Sequence, residues 1–250
     1  MLEFFDVFTL WEGWFYLLIL SILEIVLGID NIIFISVITD KLKGKQKTYA
    51  RNIGLSIALI LRLLLLSVIS LIMTLTEPLF TIFDSQISGQ SIILIAGGLF
   101  LIYKSVAEMH KSINHNAENH SNDKSTLVQI IAQIALIDLI FSFDSIISAV
   151  GMTNGIHSQT GKNPMAIIVV AIIISMFVMM LFAKQISEFI SIHPTIKMIA
   201  LSFLVAVGIL LLAEGFGQEF PKGYIYFAFA YALVVEILNI RMRRNNKKNG

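Results

Sequence analysis

Two ten-residue stretches decide how this chain is read: Glu24-Ile-Val-Leu-Gly-Ile-Asp30-Asn31-Ile-Ile and Asp138-Leu-Ile-Phe-Ser-Phe-Asp144-Ser145-Ile-Ile. They align without a gap at an offset of 114 residues (24 to 138, 30 to 144). Acid meets acid twice, small Gly28 stands opposite Ser142, and Asn31 stands opposite Ser145. Apolar Ile/Leu sequence aligns with itself readily, but two acids in register do not, so the pair reads as an internal duplication.

Working outward, both stretches lie in long apolar segments. The chain of 250 residues is 56% hydrophobic and only 14% charged. Its mean hydropathy is +0.82. A soluble domain of this length cannot cover that much apolar surface with polar groups. A hydrocarbon layer about 30 Å thick takes roughly 20 apolar residues per helix. Spans are therefore expected at about 14–38, 52–75, 91–108, 126–150, 165–183, 195–213 and 223–240. The fold class is an all-α membrane protein of seven transmembrane helices. Span 1 opens one set of three and span 4 the next. An odd number of crossings per unit flips the second copy, which predicts a 3+3 inverted repeat (about 14–108 and 126–213) with the helix at 223–240 appended.

Charge placement sets the expected orientation. The 39–51 segment holds Lys41, Lys43, Lys45, Lys47 and Arg51, and the tail holds Arg241, Arg243, Arg244, Lys247 and Lys248. Lys111, Lys124, Lys184 and Lys197 fall on the same side, and only Lys162 and Lys222 fall opposite. The N-terminus is thus expected outside and the C-terminus in the cytoplasm, in the cytoplasmic (inner or plasma) membrane. Glu77 and Asp84 agree, as do Trp11, Trp14, Tyr224 and Tyr226 as an outer aromatic belt. Residues 1–13 contain Glu3, Asp6 and Glu12 but no Lys or Arg, so no cleavable signal peptide is expected. A net charge of +1 gives no field for nucleic acid, and the absence of Cys excludes disulfides and thiolate chemistry.

Glu24, Asp30, Asp138 and Asp144 sit well inside their spans. Each ionised acid there costs roughly 3 kcal/mol, so the four cost on the order of 12 kcal/mol before compensation. A bound cation, an internal base, protonation or a water-filled cavity must offset this. Arg62, mid-span, can neutralise one acid, while Glu236 in the last span adds to the excess. Glu24 and Asn31 share a helix face two turns apart, as do Asp138 and Ser145, whereas Asp30 and Asp144 point about 120° away on an intact helix. Either each pair serves two neighbours or the helix breaks between them, more easily at Gly28 than at Ser142. Carboxylates, an amide and hydroxyls are hard oxygen donors suited to Mn²⁺, Mg²⁺ or Ca²⁺. The expected metal set is therefore Glu24, Asp30, Asn31, Asp138, Asp144 and Ser145, with Arg62, Glu214 and Glu236 as secondary candidates. Glu214 and Glu219 can recruit cations at an outer mouth or simply be solvated. His110, His115 and His120 lie in a polar stretch that reads as a solvated loop, with a soft-metal site the alternative. Gly28-Ile29-Asp30 only superficially matches an intramembrane aspartyl protease, since the residue before the Asp is Ile29. No phosphate loop or serine nucleophile is visible, so no enzyme is expected.

These residues, with the Glu214–Ala228 stretch and its Pro221-Lys-Gly-Tyr-Ile-Tyr-Phe-Ala228 run, resemble the TerC family of membrane proteins, related to LysE-type exporters. The resemblance covers nearly the whole chain. It implies export of Mn²⁺ as a transported ion, with no tightly bound cofactor, and a link in some members to tellurium resistance. It carries the motif acids over as Glu24, Asp30, Asp138 and Asp144. Glu219-Phe220 stands where many members are expected to have a His before the Pro-Lys-Gly run. The expected partners are the lipid bilayer, a divalent cation and cytoplasmic proteins docking on the polar loops. The alternatives to metal export are a membrane scaffold in a stress-response complex and export of a small organic cation.

Overall fold

The computed structural model describes residues 6–42, 44–68, 78–82, 85–114, 126–160, 162, 164–218 and 220–249, without the side chains of 82, 85, 154–160 and 246–249. Among them, seven helical segments are long and apolar enough to cross a membrane: Trp11–Thr39, Lys45–Ser67, Gly89–Ile113, Leu127–Thr153, Met165–Ile192, Pro194–Gly215 and Gly223–Asn245. Each coincides with an expected span. Glu77, Asp84, His115, His120 and Glu219 lie outside the described residues.

The elements are α1 (Trp11–Leu27), α2 (Ile29–Thr39), α3 (Lys45–Ser67), β1 (Pro78–Ile82), β2 (Ser85–Ser88), α4 (Gly89–Ile113), α5 (Leu127–Thr160), α6 (Met165–Ile192), α7 (Pro194–Gly215) and α8 (Gly223–Asn249). Span 1 is α1 and α2 together. The second span differs from expectation at its start: α3 begins at Lys45 rather than near 52, while the expected end near 75 lies outside the described residues. Lys45, Gln46, Lys47 and Arg51 are good helix formers, so the helix runs on past the apolar segment at that end. A short antiparallel hairpin, β1 with β2, was not expected from an all-helical reading; it pairs Phe80 with Ile87 and Thr81 with Gln86. Ser88 ends it and caps α4, its hydroxyl accepting from Ser91 N at 3.1 Å.

The chain divides into two compact units, 1–77 with 125–188, and 78–124 with 189–250. Each unit therefore draws helices from both halves of the sequence.

In the first unit α2 is the centre. Every residue from Asp30 to Thr39 is buried, which is the signature of a helix enclosed on all faces. Its hydroxyls are satisfied internally, Ser36 donating to Ile32 O at 2.6 Å and Thr39 to Ile35 O at 2.7 Å. The buried stripe of α3 is Ala50, Arg51, Gly54, Leu55, Ala58, Arg62 and Leu66. A Cβ on Gly54 would stand 2.9 Å from Ile134 Cγ2, so a bare backbone is what lets α3 approach α5 this closely. Lys162 Nζ donates to Asp6 O and Thr9 Oγ1, both at 2.7 Å, which joins the start of span 1 to the segment after span 4.

In the second unit α4 crosses α7 at paired glycines. A Cβ on Gly98 would stand 2.6 Å from Gly208 O, and one on Gly215 would stand 2.5 Å from Ile95 Cγ1. Pro194 opens α7 at its first turn, where its missing N–H costs nothing. Gly217 closes it at φ +77°, with Gln218 N donating to Ala213 O and Gly217 N to Glu214 O, both at 2.9 Å. Helix α8 meets α7 through Phe203, which stacks on Phe229 with centroids 4.2 Å apart, and leaves Tyr224, Phe227, Tyr231 and Leu238 exposed for lipid.

Candidate functional site

The close α3–α5 approach sets Arg62 against α5, and its guanidinium becomes the hub of a buried cluster within the first unit. Arg62 Nη1 donates to Glu24 Oε2 at 2.9 Å. Its Nη2 donates to Asp138 Oδ1 at 2.9 Å and its Nε to Asp138 Oδ2 at 3.2 Å. The two-pronged grip on Asp138 uses the planar fork that only arginine offers. Asn31 Nδ2 donates to Asp138 Oδ1 at 2.9 Å. Ser142 Oγ lies 3.2 Å from Asp138 Oδ2 and also donates to the Asp138 carbonyl. Asp138 thus accepts from Arg62 and Asn31 on Oδ1 and from Arg62 on Oδ2, with the single Ser142 proton shared between Oδ2 and the Asp138 carbonyl.

Arg62, Glu24, Asp138 and Asn31 are each only 2% exposed. Arg62 can neutralise the charge of only one acid, as expected, but its hydrogen bonds are divided between two, because α1 and α5 both face it. Two carboxylates against one guanidinium leave a formal charge of −1. Glu24 Oε1 and Asn31 Oδ1 are buried and accept no hydrogen bond among the described residues. The Ser145 hydroxyl lies beside the Glu24 carboxyl, and Ser145 is itself buried.

The remaining expected ligands are placed as follows. Asp30, next to Asn31, is 2% exposed at the head of α2. Asp144 is partly buried on α5. Neither bonds to Arg62, whose partners are Glu24 and Asp138. Among the described residues no group of three or more His, Asp or Glu side chains is gathered as a metal cage. Glu214 and Glu236 belong to the second unit. Glu214 pairs with Lys222 at 3.4 Å, and Glu236 accepts from Thr195 Oγ1 at 2.6 Å and Asn239 Nδ2 at 3.4 Å.

Helix α5 runs without interruption through Asp138 and Asp144, whereas span 1 is interrupted at Gly28 alone. Gly28 keeps a right-handed conformation, φ −81° and ψ −9°, and the Ile32 N–H still reaches Gly28 O at 3.2 Å. Gly28 is needed less for a break than for room: a Cβ there would overlap the Met179 sulfur of α6. Sequence reasoning missed this contact, and it missed Ser142 as a partner of Asp138. The second was legible, since residues four apart share a helix face.

Seven helical segments long and apolar enough to cross a bilayer, with an ion-pair cluster buried in the first unit, define a polytopic α-helical membrane protein. The TerC integral membrane protein family profile matches residues 9–250, and the chain belongs to that family. It is 47% identical over 235 residues to a UPF0053 protein of Haemophilus influenzae, covering 93% of this chain and 95% of that one. It is 45% identical over 238 residues to the UPF0053 inner membrane protein YgdQ of Escherichia coli K12, covering 95% of each. It is 42% identical over 239 residues to the inner membrane protein YoaE of the same organism, covering 95% of this chain and 44% of that longer protein. No solved structure matches the chain.

Proposed function

We propose that this chain exports a hard divalent cation, Mn²⁺ foremost, by secondary transport in exchange for protons, and that it is a transporter rather than an enzyme. The observation that carries the reading is the buried cluster's surplus of negative charge: Glu24 and Asp138 face one arginine, with the acceptor oxygens Glu24 Oε1 and Asn31 Oδ1 unfilled. Buried charge of one sign with open oxygen donors is what a hard cation needs. Glu24, Asp30, Asn31, Asp138, Asp144 and Ser145 are the ligands in this reading. They gather around the ion only in the loaded conformers, as alternating access brings the duplicated motifs into play in turn. The N-terminus faces outward, the C-terminus faces the cytoplasm, and the duplicated halves form an inverted repeat.

The competing reading is a purely structural ion pair, favoured by the three hydrogen bonds that already engage Arg62. Flux of radioactive Mn²⁺ in proteoliposomes separates the two. The Asp30→Asn/Asp144→Asn double variant leaves the Arg62 bonds intact. Export predicts a fall in its flux of roughly tenfold or more, about 1.4 kcal/mol per decade of rate. Undiminished flux in a correctly folded double variant would remove the export reading. Competition by Mg²⁺, Ca²⁺ and basic amino acids ranks the cargo.

A further inference from the structure

The structure assigns Arg62 a second role, which rests on the export reading: it is a tethered counter-cation that competes with the transported ion for Glu24 and Asp138. Arg62 reaches both carboxylates from α3, and all of its hydrogen bonds go to them. It occupies the electrostatic position that a divalent ion would take. A buried cluster of carboxylates with no cation carries a heavy desolvation cost. A carrier must nevertheless pass through an ion-free state in every cycle. Arg62 fills that state from within, holding the acids apart from lipid and from each other's charge.

The charges say why competition is needed. With Arg62 in place the cluster of Arg62, Glu24 and Asp138 stands at −1. A divalent ion added to it gives +1, but a divalent ion replacing Arg62 gives zero. Full occupancy of the two carboxylates by the ion therefore favours departure of the guanidinium. The geometry fits an exchange rather than a permanent clamp. Arg62 grips Asp138 at both oxygens, yet Glu24 Oε1 and Asn31 Oδ1 accept no hydrogen bond among the described residues, while Asn31 Nδ2 braces Asp138. These buried oxygens are first landing points for an incoming cation, after which Arg62 yields its share of the carboxylates. Arg62 is thus a specificity-setting and positioning residue. It holds affinity down so that the ion is released, and it excludes monovalent ions that cannot displace it.

The test is Mn²⁺ binding to the full-length protein in nanodiscs, with free Mn²⁺ read by electron paramagnetic resonance, alongside efflux from proteoliposomes. Arg62→Gln should tighten Mn²⁺ binding by roughly tenfold or more while efflux falls, because the ion is no longer displaced. Arg62→Gln alone leaves two buried carboxylates without a cation, which opposes folding. A comparison on the Glu24→Gln background, where only Asp138 remains to be neutralised, covers that case. Glu24→Gln/Arg62→Gln carries the wild-type cluster charge of −1, and it should bind Mn²⁺ roughly tenfold or more tighter than Glu24→Gln alone. If the double variant, monodisperse and folded, binds no tighter than the single one, Arg62 is not a competitor, and export by wild type would still stand. If wild type neither binds nor moves Mn²⁺, Mg²⁺ or Ca²⁺, the export reading itself fails and this role goes with it.

Discussion

Removing one negative charge from the cluster should have unequal consequences at its two acids. Consider Glu24→Gln and Asp138→Asn, the same isosteric change. Glu24 accepts one charge-assisted bond, from Arg62 Nη1 to Oε2, and the Ser145 hydroxyl lies beside its carboxyl. Glutamine can keep its oxygen toward Arg62 and offer its amide nitrogen to the Ser145 hydroxyl. The change weakens one charge-assisted bond, by about 1 kcal/mol, and removes a buried charge in excess of its base. The two effects offset, so net stability should stay within about 1 kcal/mol of wild type. Asp138 offers no empty side. Both of its oxygens accept from Arg62, and Asn31 and Ser142 take one each. Either orientation of asparagine places an N–H against a guanidinium N–H. At least one charge-assisted bond is lost and two donors are opposed, for a cost of about 3 kcal/mol. At roughly 2–4 °C per kcal/mol for a chain of this size, Asp138→Asn should lower the midpoint of thermal unfolding in detergent by about 6–12 °C. Glu24→Gln should shift it by no more than about 4 °C. Equal losses in the two variants, or a larger loss in Glu24→Gln, would refute the reasoning, because either result means that the acids are not distinguished by their donors.

Other consequences follow from the packing and the topology. Gly98→Val pushes a side chain into the Gly208 carbonyl, where even a Cβ would sit at 2.6 Å; it should cost about 1–3 kcal/mol, read as a lowered unfolding midpoint. Gly28→Ala should also destabilise by displacing Met179, and Met179→Ala should rescue part of the loss; additive costs would show that the two residues do not share that space. With no native cysteine, single cysteines can be placed at will. Under the proposed orientation a cysteine at Gln46 or Asn245 labels with an impermeant maleimide only from the cytoplasmic side, and one at Lys162 only from outside. Deletion of 112–122 should leave most of the Mn²⁺ flux intact, whereas a scaffold would lose its cytoplasmic partner in a pull-down.

The spans were legible because the bilayer imposes one strong rule, about 20 apolar residues per crossing, on every segment. Their polar ends were not, since Lys45 to Arg51 continue α3 by propensity where hydropathy has already fallen. The duplicated motifs pointed to Glu24, Asp30, Asn31, Asp138, Asp144 and Ser145, of which Glu24, Asn31 and Asp138 meet in the hydrogen-bonded cluster around Arg62. The sequence could not show that one arginine bridges two acids, because that depends on how closely α3 approaches α5. That approach is set by Gly54 against Ile134, a tertiary contact with no periodic trace. The same holds for Gly28, where the motif suggested a break and the structure shows a seat for Met179. The hairpin at 78–88 was missed because two short strands between apolar helices carry too few alternating residues to stand out.

The sign of the cluster bears on what the site can hold. Asp138 is saturated with donors, so any further ligand must be accepted by the open oxygens of Glu24 and Asn31, and an acceptor oxygen attracts a cation. An oxyanion such as tellurite would bring negative charge toward a buried centre that keeps a net −1 with its own arginine in place. Turning that centre toward anions would require protonating both acids or freeing Arg62 from both, which forfeits the bonds that hold α1, α3 and α5 in register. On the export reading, any tellurium phenotype in this family therefore acts through cation balance rather than through passage of the oxyanion. A folded variant that lost Mn²⁺ flux through Asp30→Asn/Asp144→Asn, yet kept full tellurite tolerance in cells, would break that link.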